Sequence, residues 1–490
     1  MSEDVIKNLE PKILWERFYE MTRVPRPSKK ESKIIRHMKN LLKDLNVEFR
    51  EDNVGNILAK VPATPGYENS PIVILQGHVD MVCEKNKSKQ HDFENDPISL
   101  IKEDGWITAD GTTLGSDNGI GVSAALAVIT DKEVKHGPIE ILMTVDEETG
   151  MTGASNINPG FMTGKILLNM DSEEEGTFYV GCSGGMDTVA EFKIEFEETP
   201  GSFIPYNLLV TGLKGGHSGL DIISGRANAV KLLARTLKNL EKFEFYISKI
   251  SGGSLRNAIP REAETVLLIR QENESEIKKV LDNLKTEFLN EFRNTDGNLT
   301  FEFNKSDDKP KEVFTKNFKK KIIDTLLALP HGVIAMSQDI PDLVETSTNL
   351  AAVSIKDNVL RIDTSQRSSI NSAKLYVVNN VKAVFELAGA QVKNSDGYPG
   401  WKPNLDSKIL KISKEVYQTL FKKEPEVKAI HAGLETGLLG DKNPGIDMIS
   451  FGPTIVGAHS PDEKVNIETV EKFYELLKGI LKRIAEEGKN

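Results

Sequence analysis

The stretch PIVILQGHVD (residues 71–80) decides the fold class. Its apolar residues form a short continuous run, which is typical of a buried strand, and the stretch ends in His78 and Asp80. Short polar turns connect it with further helix-like and strand-like segments. These are SKKESKIIRHMKNLLKDL (28–45), NILAKVP (56–62), GIGVSAALAVIT (119–130), IEILMTVDEETG (139–150) and KILLNMDSEEEG (165–176). Their alternation predicts a layered α/β domain.

The segment 28–45 has the apolar spacing of an amphipathic helix. Ser28 stands at its start and Glu31 follows three residues later, which is the pattern of a capping box. We therefore predict that Ser28 caps this helix.

The composition limits the class of protein. The chain has 490 residues, too many for one ordinary core, and contains no apolar run long enough to span a bilayer. Its 62 Lys and Arg residues against 73 Asp and Glu residues give a net charge of −11, opposite to that expected of a nucleic-acid-binding protein. Only two cysteines occur, and the first residues show no secretory signal. We therefore expect a cytoplasmic protein without nucleic-acid or membrane partners.

A second domain is predicted in the middle of the chain. From about residue 187 the segments become longer alternating strands and amphipathic helices, such as TVAEFKIEFEE and ANAVKLLARTLKNL. A glycine- and proline-rich junction, GYPGWKPN (397–404), ends this part, and helices and a strand then follow up to the C-terminus. We therefore predict one domain formed by residues 1–186 and 399–490, into which residues 187–398 are inserted.

Potential metal ligands follow three of the apolar strands. The first strand ends in His78 and Asp80, the second is followed by Glu147 and Glu148, and the third by Asp171. In an open α/β sheet the ligand site lies beyond the carboxyl ends of the strands. We therefore expect these side chains to converge on one crevice.

Asp117 and His459 extend this set of candidate ligands. Asp117 precedes the segment 119–130, where its alternative role is a helix N-cap, and His459 lies in the loop VGAHSPDE (456–463). Imidazole together with carboxylate is the ligand set of Zn²⁺ and related ions, whereas Ca²⁺ and Mg²⁺ take oxygen ligands. Two histidines and several acids suffice for two metal ions that share a bridging carboxylate.

The adjacent glutamates are expected to have different roles. If Glu148 binds a metal, its charge is neutralised, while Glu147 lies on the other side of an extended backbone. There Glu147 can accept a proton from an activated water and later return it to the leaving amine. Asp80, two residues from His78, would point to the same side as the imidazole and can orient it.

The order H-x-D, D, E-E, D and H of these residues resembles the M20 family of metallopeptidases, along essentially the whole chain. HDFENDPI (91–98) and ADGTTLGSDNGIG (109–121) resemble more closely its aminoacyl-histidine dipeptidase (Xaa-His dipeptidase, peptidase D) branch. The resemblance implies a layered α/β/α zinc-peptidase catalytic domain with an inserted α+β lid domain. It also implies hydrolysis of dipeptides, of the Xaa-His or β-alanyl-histidine type or of broad specificity, and it leaves room for a homodimer formed through the lid domain.

The same resemblance implies two Zn²⁺ ions per chain, with Co²⁺ or Mn²⁺ as alternatives. Asp117 would bridge the ions, Glu147 would be the general base, and Asp80 would be the orienting acid. The peptide bond between Asp117 and Asn118 is a candidate for the cis form. The implied metal ligands are His78 and Asp171 for one ion, Glu148 and His459 for the other, and Asp117 for both.

In the inserted domain the resemblance implies residues that contact the substrate. His217, in LKGGHSGLD, would hydrogen-bond to the oxyanion of the tetrahedral intermediate. Asn257 and Arg367 would hold the terminal carboxylate of the substrate, for which a planar guanidinium is suited. The segment HAGLETGLL is placed near the substrate by the same resemblance, and its candidate residues are His431, Gly433 and Glu435.

Two other motifs indicate different enzymes. YVGCSGG (179–185) fits G-x-S-x-G, but a serine-hydrolase elbow must lead into a helix, and the residues that follow alternate like a strand. GIGVSA (119–124) fits a dinucleotide-binding fingerprint, but no good strand precedes it, and Asp117 would repel the pyrophosphate. Closer alternatives are an aminotripeptidase or an N-acylamino-acid deacylase of the same family, or a homologue that binds metal or peptide without turnover.

Overall fold

The computed structural model describes residues 3–488, which divide into two compact units. The first unit contains the residues up to Gly181 together with Pro403–Ala429 and the residues from Leu434 onward. The second unit contains Cys182–Lys402 and Ile430–Gly433. The predicted boundaries, after residues 186 and 398, differ from these divisions by five and four residues, and the segment Ile430–Gly433 was predicted in the first domain.

An eight-stranded mixed sheet forms the centre of the first unit. Its four central strands run parallel, so their carboxyl ends meet at one edge. In spatial order the strands of the sheet are Glu48–Glu51, Ile57–Val61, Ile139–Thr144, Val73–His78, Ile166–Asn169, Asp447–Ser450, Thr177–Cys182 and Glu426–Ile430.

Helices cover this sheet, and its central strands are mostly apolar and buried throughout. Every residue of Val73–His78 and Ile139–Thr144 is buried, as expected for parallel strands packed on both faces. Helix Ser116–Thr130, rich in small residues, packs against Val73–His78 and against a second helix, Lys12–Thr22. The other helices of the unit are Glu3–Ile6, Ser32–Asp44, Glu147–Gly150, Thr152–Asn156, Lys408–Phe421, Glu435–Lys442 and Ile467–Glu487.

A small antiparallel sheet connects distant parts of the first unit. Its four strands, in spatial order, are Ile455–Val456, Lys464–Asn466, Trp106–Ala109 and Leu100–Glu103. The loop that carries His459 lies between the first two strands. This sheet therefore fixes the C-terminal loop to residues that come shortly before Asp117.

The second unit is built on a nine-stranded antiparallel sheet with helices packed against it. Its strands are Thr300–Lys305, Ile204–Thr211, Ala263–Ile269, Phe245–Gly252, Val344–Lys356, Val359–Ser368, Gly184–Lys193 and Gln391–Asn394, with Gly332–Met336 beside Val344–Lys356. Two short pairs are Phe196–Glu198 with Glu312–Phe314 and Gly216–His217 with Ala258–Ile259. The helices are Ala229–Asn239, Glu274–Glu291, Lys316–Ala328 and Asn371–Leu387, and the 3₁₀ turns are Ile222–Ser224, Leu240–Lys242 and Gln271–Asn273. The predicted layered α/β fold with an inserted α+β unit is confirmed.

The capping box predicted at Ser28 is wrong. The helix begins at Ser32, and its N-terminus has no side-chain cap. The Ser28 hydroxyl instead donates to Asp80 Oδ2 at 2.8 Å, and Glu31 Oε1 accepts the backbone N–H groups of Lys29 and Asp146. Long-range contacts at the sheet edge therefore replace the local cap.

None of the helices in the described part of the chain combines the length and apolar character needed to cross a bilayer. Cys83 and Cys182 are not joined by a disulfide bond. Ser183 leads from one strand directly into the next, Gly184–Lys193, so the structure has no nucleophile elbow at this motif.

The core of the second unit is expected to be sensitive to cavities. Replacing the fully buried Phe385 by alanine should lower the free energy of unfolding by about 3–5 kcal/mol. Leu387 lies on the same helix and is 90% exposed, so Leu387→Ala is the matched control. This control should change the free energy of unfolding by less than about 0.5 kcal/mol. Urea denaturation followed by circular dichroism measures both, and equal losses would contradict the proposed packing.

Candidate metal centre and active site

Five side chains predicted as metal ligands come together at the carboxyl edge of the parallel strands in the first unit. Each reaches the edge from a different element. His78 ends a central strand, Asp171 follows the neighbouring strand, and Asp117 lies at the start of helix Ser116–Thr130. Glu148 lies in the short helix Glu147–Gly150, and His459 lies in the C-terminal loop.

Asp117 lies at the centre of this cluster. Its Oδ1 is 3.1 Å from His78 Nε2, and its Oδ2 is 3.3 Å from His459 Nε2. The same nitrogen of His78 is 3.3 Å from Asp171 Oδ1, and that of His459 is 2.9 Å from Glu148 Oε2. The five residues therefore form two groups of three that share Asp117, with the ligand atoms of each group within 4.8 Å of one another.

The pKa values of the residues in the cluster are shifted by the charges of their neighbours. Burial lowers the pKa of His78, but the carboxylates of Asp171, Asp117 and Asp80 outweigh this effect and raise the pKa well above its ordinary value. Hydrogen bonds to Asp117 and Glu148 raise the pKa of His459 to about 11. Burial raises the pKa of Asp171 to about 6. Both imidazoles thus respond to a strong excess of negative charge.

This excess fits the binding of cations. Taking several carboxylates out of water is costly unless positive charge compensates them. Asp171 Oδ1 is buried, and its contact with His78 Nε2 at 3.3 Å lacks hydrogen-bond geometry, so this acceptor can bind a ligand. The donor set of imidazole nitrogen and carboxylate oxygen suits Zn²⁺ and related transition metals.

Asp80 contacts His78 on the side of the ring that faces away from Asp117. It is fully buried, and its Oδ1 lies 3.3 Å from His78 Nδ1. The carboxylate also accepts the backbone N–H groups of Glu147 and Glu148, at 3.1 and 3.3 Å, and the Ser28 hydroxyl. Burial alone would raise the pKa of Asp80, but these partners lower it to about 2. Asp80 therefore orients both the imidazole and the pair of glutamates.

Glu147 lies beside the cluster rather than within either group of three. It forms a further close group with His78 and Glu148. Burial, with the neighbouring acids, raises the pKa of Glu147 well above its ordinary value. Glu147 and Glu148 were expected on an extended backbone, but the strand ends at Thr144 and the pair begins a one-turn helix. Helical geometry therefore separates the two side chains.

The peptide bond between Asp117 and Asn118 is cis, as the family resemblance implied. Asn118 Nδ2 donates to the Met170 carbonyl at 2.6 Å, next to Asp171.

The predicted residue His217 belongs to the second unit and has a defined protonation pattern. Its Nδ1 accepts the backbone N–H groups of Gly219 and Leu220 at 3.2 and 3.0 Å. Burial and the nearby charge of Arg367 lower its pKa, which favours the neutral ring. Because Nδ1 is an acceptor, the neutral ring carries its proton on Nε2 and can donate it in a hydrogen bond.

Arg367, also in the second unit, is held by an aromatic residue, Tyr398, for which the sequence contains no local signal. Its Nη1 donates to the Tyr398 hydroxyl at 2.9 Å. A Cβ at Gly433 would lie 2.8 Å from the Tyr398 ring, so the glycine makes room for this side chain. Asn257 is exposed, and its backbone carbonyl accepts from Ser218 N.

His431 and Glu435 are both buried. His431 Nε2 lies 2.7 Å from Ser347 Oγ within the second unit, and burial lowers its pKa to about 3. Glu435 begins a helix of the first unit, where its Oε2 accepts from Gln76 Nε2 and Thr144 Oγ1 at 2.6 and 2.7 Å. Burial raises the pKa of Glu435 to about 7.

Three comparisons identify relatives of the chain. A sequence model described as peptidase family M20/M25/M40 matches residues 74–483. The cytosol non-specific dipeptidase of Escherichia coli K12 is 41% identical over 485 residues, which cover 99% of each chain. The crystal structure of the aminoacylhistidine dipeptidase from Vibrio alginolyticus superposes with a TM-score of 0.90 and 42% identity, covering 98% of this chain and 99% of that one.

A more distant structure shares the fold. A tripeptidase from Staphylococcus aureus superposes with a TM-score of 0.57 at 17% identity, over 98% of this chain and 99% of that one. The family match and the similarity along the whole chain agree with the arrangement of residues at the sheet edge. The chain belongs to the M20/M25/M40 family of peptidases.

Proposed function

We propose that the protein is a metal-dependent dipeptidase that hydrolyses free dipeptides with an activated water molecule. The observation that carries this proposal is the pair of three-residue groups that share Asp117, with Glu147 beside them. The names of the two similar proteins, a non-specific dipeptidase and an aminoacylhistidine dipeptidase, support a dipeptide substrate. The similarity to the first of these supports a cytoplasmic location.

In this proposal two Zn²⁺ ions bind per chain, and Co²⁺ or Mn²⁺ are alternatives. Asp117 would be shared by both ions. His78 and Asp171 would complete one site, and Glu148 and His459 the other. When bound, the ions supply a Lewis acid that polarises the peptide carbonyl and lowers the pKa of water towards neutrality.

Glu147 is proposed to be the general base. Burial raises its pKa, which favours the uptake of a proton, and its carboxylate lies close to the ligand atoms of His78 and Glu148. It would accept a proton from the attacking water and then pass it to the amine of the leaving amino acid. Asp80 would hold the backbone of Glu147 in place through the bond to its N–H group.

The proposed substrate contacts in the second unit follow from the family resemblance. The neutral ring of His217, with its proton on Nε2, can donate a hydrogen bond to a developing oxyanion. Arg367 and Asn257 would bind the terminal carboxylate, and the Tyr398 hydroxyl would hold the guanidinium in position. Substrates of the Xaa-His or β-alanyl-histidine type and a broad range of dipeptides are both compatible with these contacts. A homodimer formed through the lid domain is also compatible with them.

Removing the carboxylate of Glu147 should separate catalysis from binding. In Glu147→Gln, kcat for dipeptides should fall by about 10²- to 10⁴-fold, because the proton acceptor is lost, while KM and metal content should change little. Steady-state kinetics and metal analysis measure these quantities. Glu103→Gln, at an exposed position, is the control. A variant that keeps its metals and nearly full kcat would exclude Glu147 as the base.

A chelator should abolish hydrolysis, and added Zn²⁺ should restore it. His459→Ala should lower the zinc content from about two ions to about one per chain, because it removes a ligand of only one proposed site. His91→Ala, outside the cluster, should retain both ions. Metal analysis and a panel of carnosine, Leu-His, Ala-Gly, Gly-Gly-Leu and an N-acetyl amino acid provide the readouts. Cleavage of only the tripeptide or the acetyl compound would favour the aminotripeptidase or the deacylase, and zinc binding without any cleavage would favour a non-catalytic homologue.

Replacing Arg367 should weaken the binding of substrates that carry a free carboxylate. Arg367→Ala should raise KM for Ala-Gly by about 10- to 100-fold, which corresponds to the loss of a charged hydrogen bond. It should change the hydrolysis of Ala-Gly amide much less. Arg361→Ala, on the same strand but exposed and paired with Asp363, is the matched control. Equal losses with both substrates would contradict the proposed contact.

A further inference from the structure

Glu463 is a buried carboxylate to which the proposed mechanism gives no role. Its carboxylate accepts five hydrogen bonds from the turn 114–117. Oε2 accepts the backbone N–H groups of Leu114 and Gly115 at 2.7 and 2.9 Å. Oε1 accepts the N–H and the hydroxyl of Ser116 at 2.7 and 2.6 Å, and the N–H of Asp117 at 3.3 Å. The residue is only 2% exposed.

These donors belong to the turn 114–117, which leads into helix Ser116–Thr130. Asp117 and Asn118 have non-helical backbone angles, so the N–H groups of this turn have no partners from regular helical hydrogen bonds. The residue before the helix is Gly115, which has no side chain to accept them, and no side chain caps the helix locally. The carboxylate of Asp117 faces His78 and His459 instead. Glu463 therefore supplies, from a distant part of the chain, the acceptor that this turn lacks.

Glu463 also belongs to the loop that carries His459. The two residues are four positions apart, and the backbone N–H of Glu463 donates to the Ser460 carbonyl at 3.1 Å. The Glu463 carbonyl accepts the Thr108 hydroxyl at 2.7 Å, next to the small sheet. A single carboxylate thus ties the loop of His459 to the turn of Asp117.

Arg26 holds the same turn from another side. This buried guanidinium donates through Nη1 to the carbonyls of Val79 and Asp80 at 3.0 and 2.7 Å, and through Nη2 to the carbonyl of Gly115. The turn is therefore linked through Arg26 to the strand of His78 and through Glu463 to the loop of His459. Its position relative to both histidines is fixed by buried, charged hydrogen-bond partners.

We propose that Glu463 is a positioning residue that sets the separation of Asp117 and His459 and thereby the affinity of the centre for its metal ions. This inference rests on the proposed two-metal function. It assigns the last residue of the stretch VGAHSPDE a role that is distinct from metal binding, because both carboxylate oxygens are occupied by the turn.

The test compares two buried glutamates of the first unit that cap backbone groups. Glu140 is also 2% exposed, and its carboxylate accepts the N–H groups of Thr163 and Gly164 and the hydroxyl of Thr163, within the helix-covered sheet but outside the cluster. Glu463→Gln and Glu140→Gln each replace one acceptor oxygen by an NH2 group, which can only donate. Zinc is titrated into the chelator-treated full chain and the variants by isothermal calorimetry, and thermal unfolding is recorded for each metal-free protein.

Glu463→Gln should weaken zinc binding by about 10- to 100-fold, the range found when residues that orient metal ligands are replaced. Glu140→Gln should lower the melting temperature but leave zinc binding unchanged. Unchanged zinc affinity in Glu463→Gln, with a melting temperature lowered as in Glu140→Gln, would overturn the inference. If the natural chain binds no zinc, the proposed function itself fails, and this outcome is distinct from the previous one.

A milder variant covers the case in which Glu463→Gln does not fold. Ser116→Ala removes only the hydroxyl donor at 2.6 Å and keeps the backbone bonds. It should weaken zinc binding in the same direction by a smaller factor. Zinc affinity equal to that of the natural chain in Ser116→Ala would then count against the inference.

Discussion

The carboxylate of Asp117, placed between two imidazoles, is the interaction on which the site depends. Each of its oxygens lies close to the Nε2 atom of one histidine, and each histidine lies close to a second acid. Such a concentration of buried negative charge is stable only when cations or donors compensate it. The parallel strands produce this concentration of charge because they bring His78, Asp171 and the turn after Thr144 to one edge of the sheet.

The acids around the centre fall into two kinds according to their hydrogen bonds. Asp80 and Glu463 accept several backbone N–H groups, so their carboxylates are occupied and fix the chain. Asp117 and Asp171 face imidazoles, and Asp171 keeps one buried oxygen without a hydrogen bond from the described residues. The first kind shapes the site, and the second kind is free to bind a cation. This division explains how several carboxylates can lie together without acting alike.

The convergence of three proposed ligands, His78, Glu148 and Asp171, could be predicted from the sequence because each follows an apolar run. Asp117 and His459 do not follow such a run, and their proposed roles rest on the family resemblance. A short apolar run ended by His78 is visible in the chain itself, and the rule for open sheets then predicts that the strand ends converge. Asp80 was predicted to orient His78, but the supporting roles of Ser28 and Glu463 were not predicted, because their partners are remote. Ser28 bonds to a residue 52 positions away, and Glu463 bonds to a turn almost 350 positions away. The prediction of a capping box at Ser28 was wrong because the Ser28 hydroxyl bonds to this remote residue instead. The one available signal was the position of Glu463, close to His459 in the same loop.

Glu147 and Glu435 show why burial alone does not identify a general base. Burial raises the pKa of both carboxyl groups above the ordinary range. Glu435 is held through its carboxylate, by Gln76 and Thr144, inside the unit and fully out of contact with solvent. Glu147 is held through its backbone N–H group, by Asp80, so that its carboxylate lies with the ligand atoms of His78 and Glu148. A base must present its oxygen to the proton that it accepts, and this difference in anchoring favours Glu147.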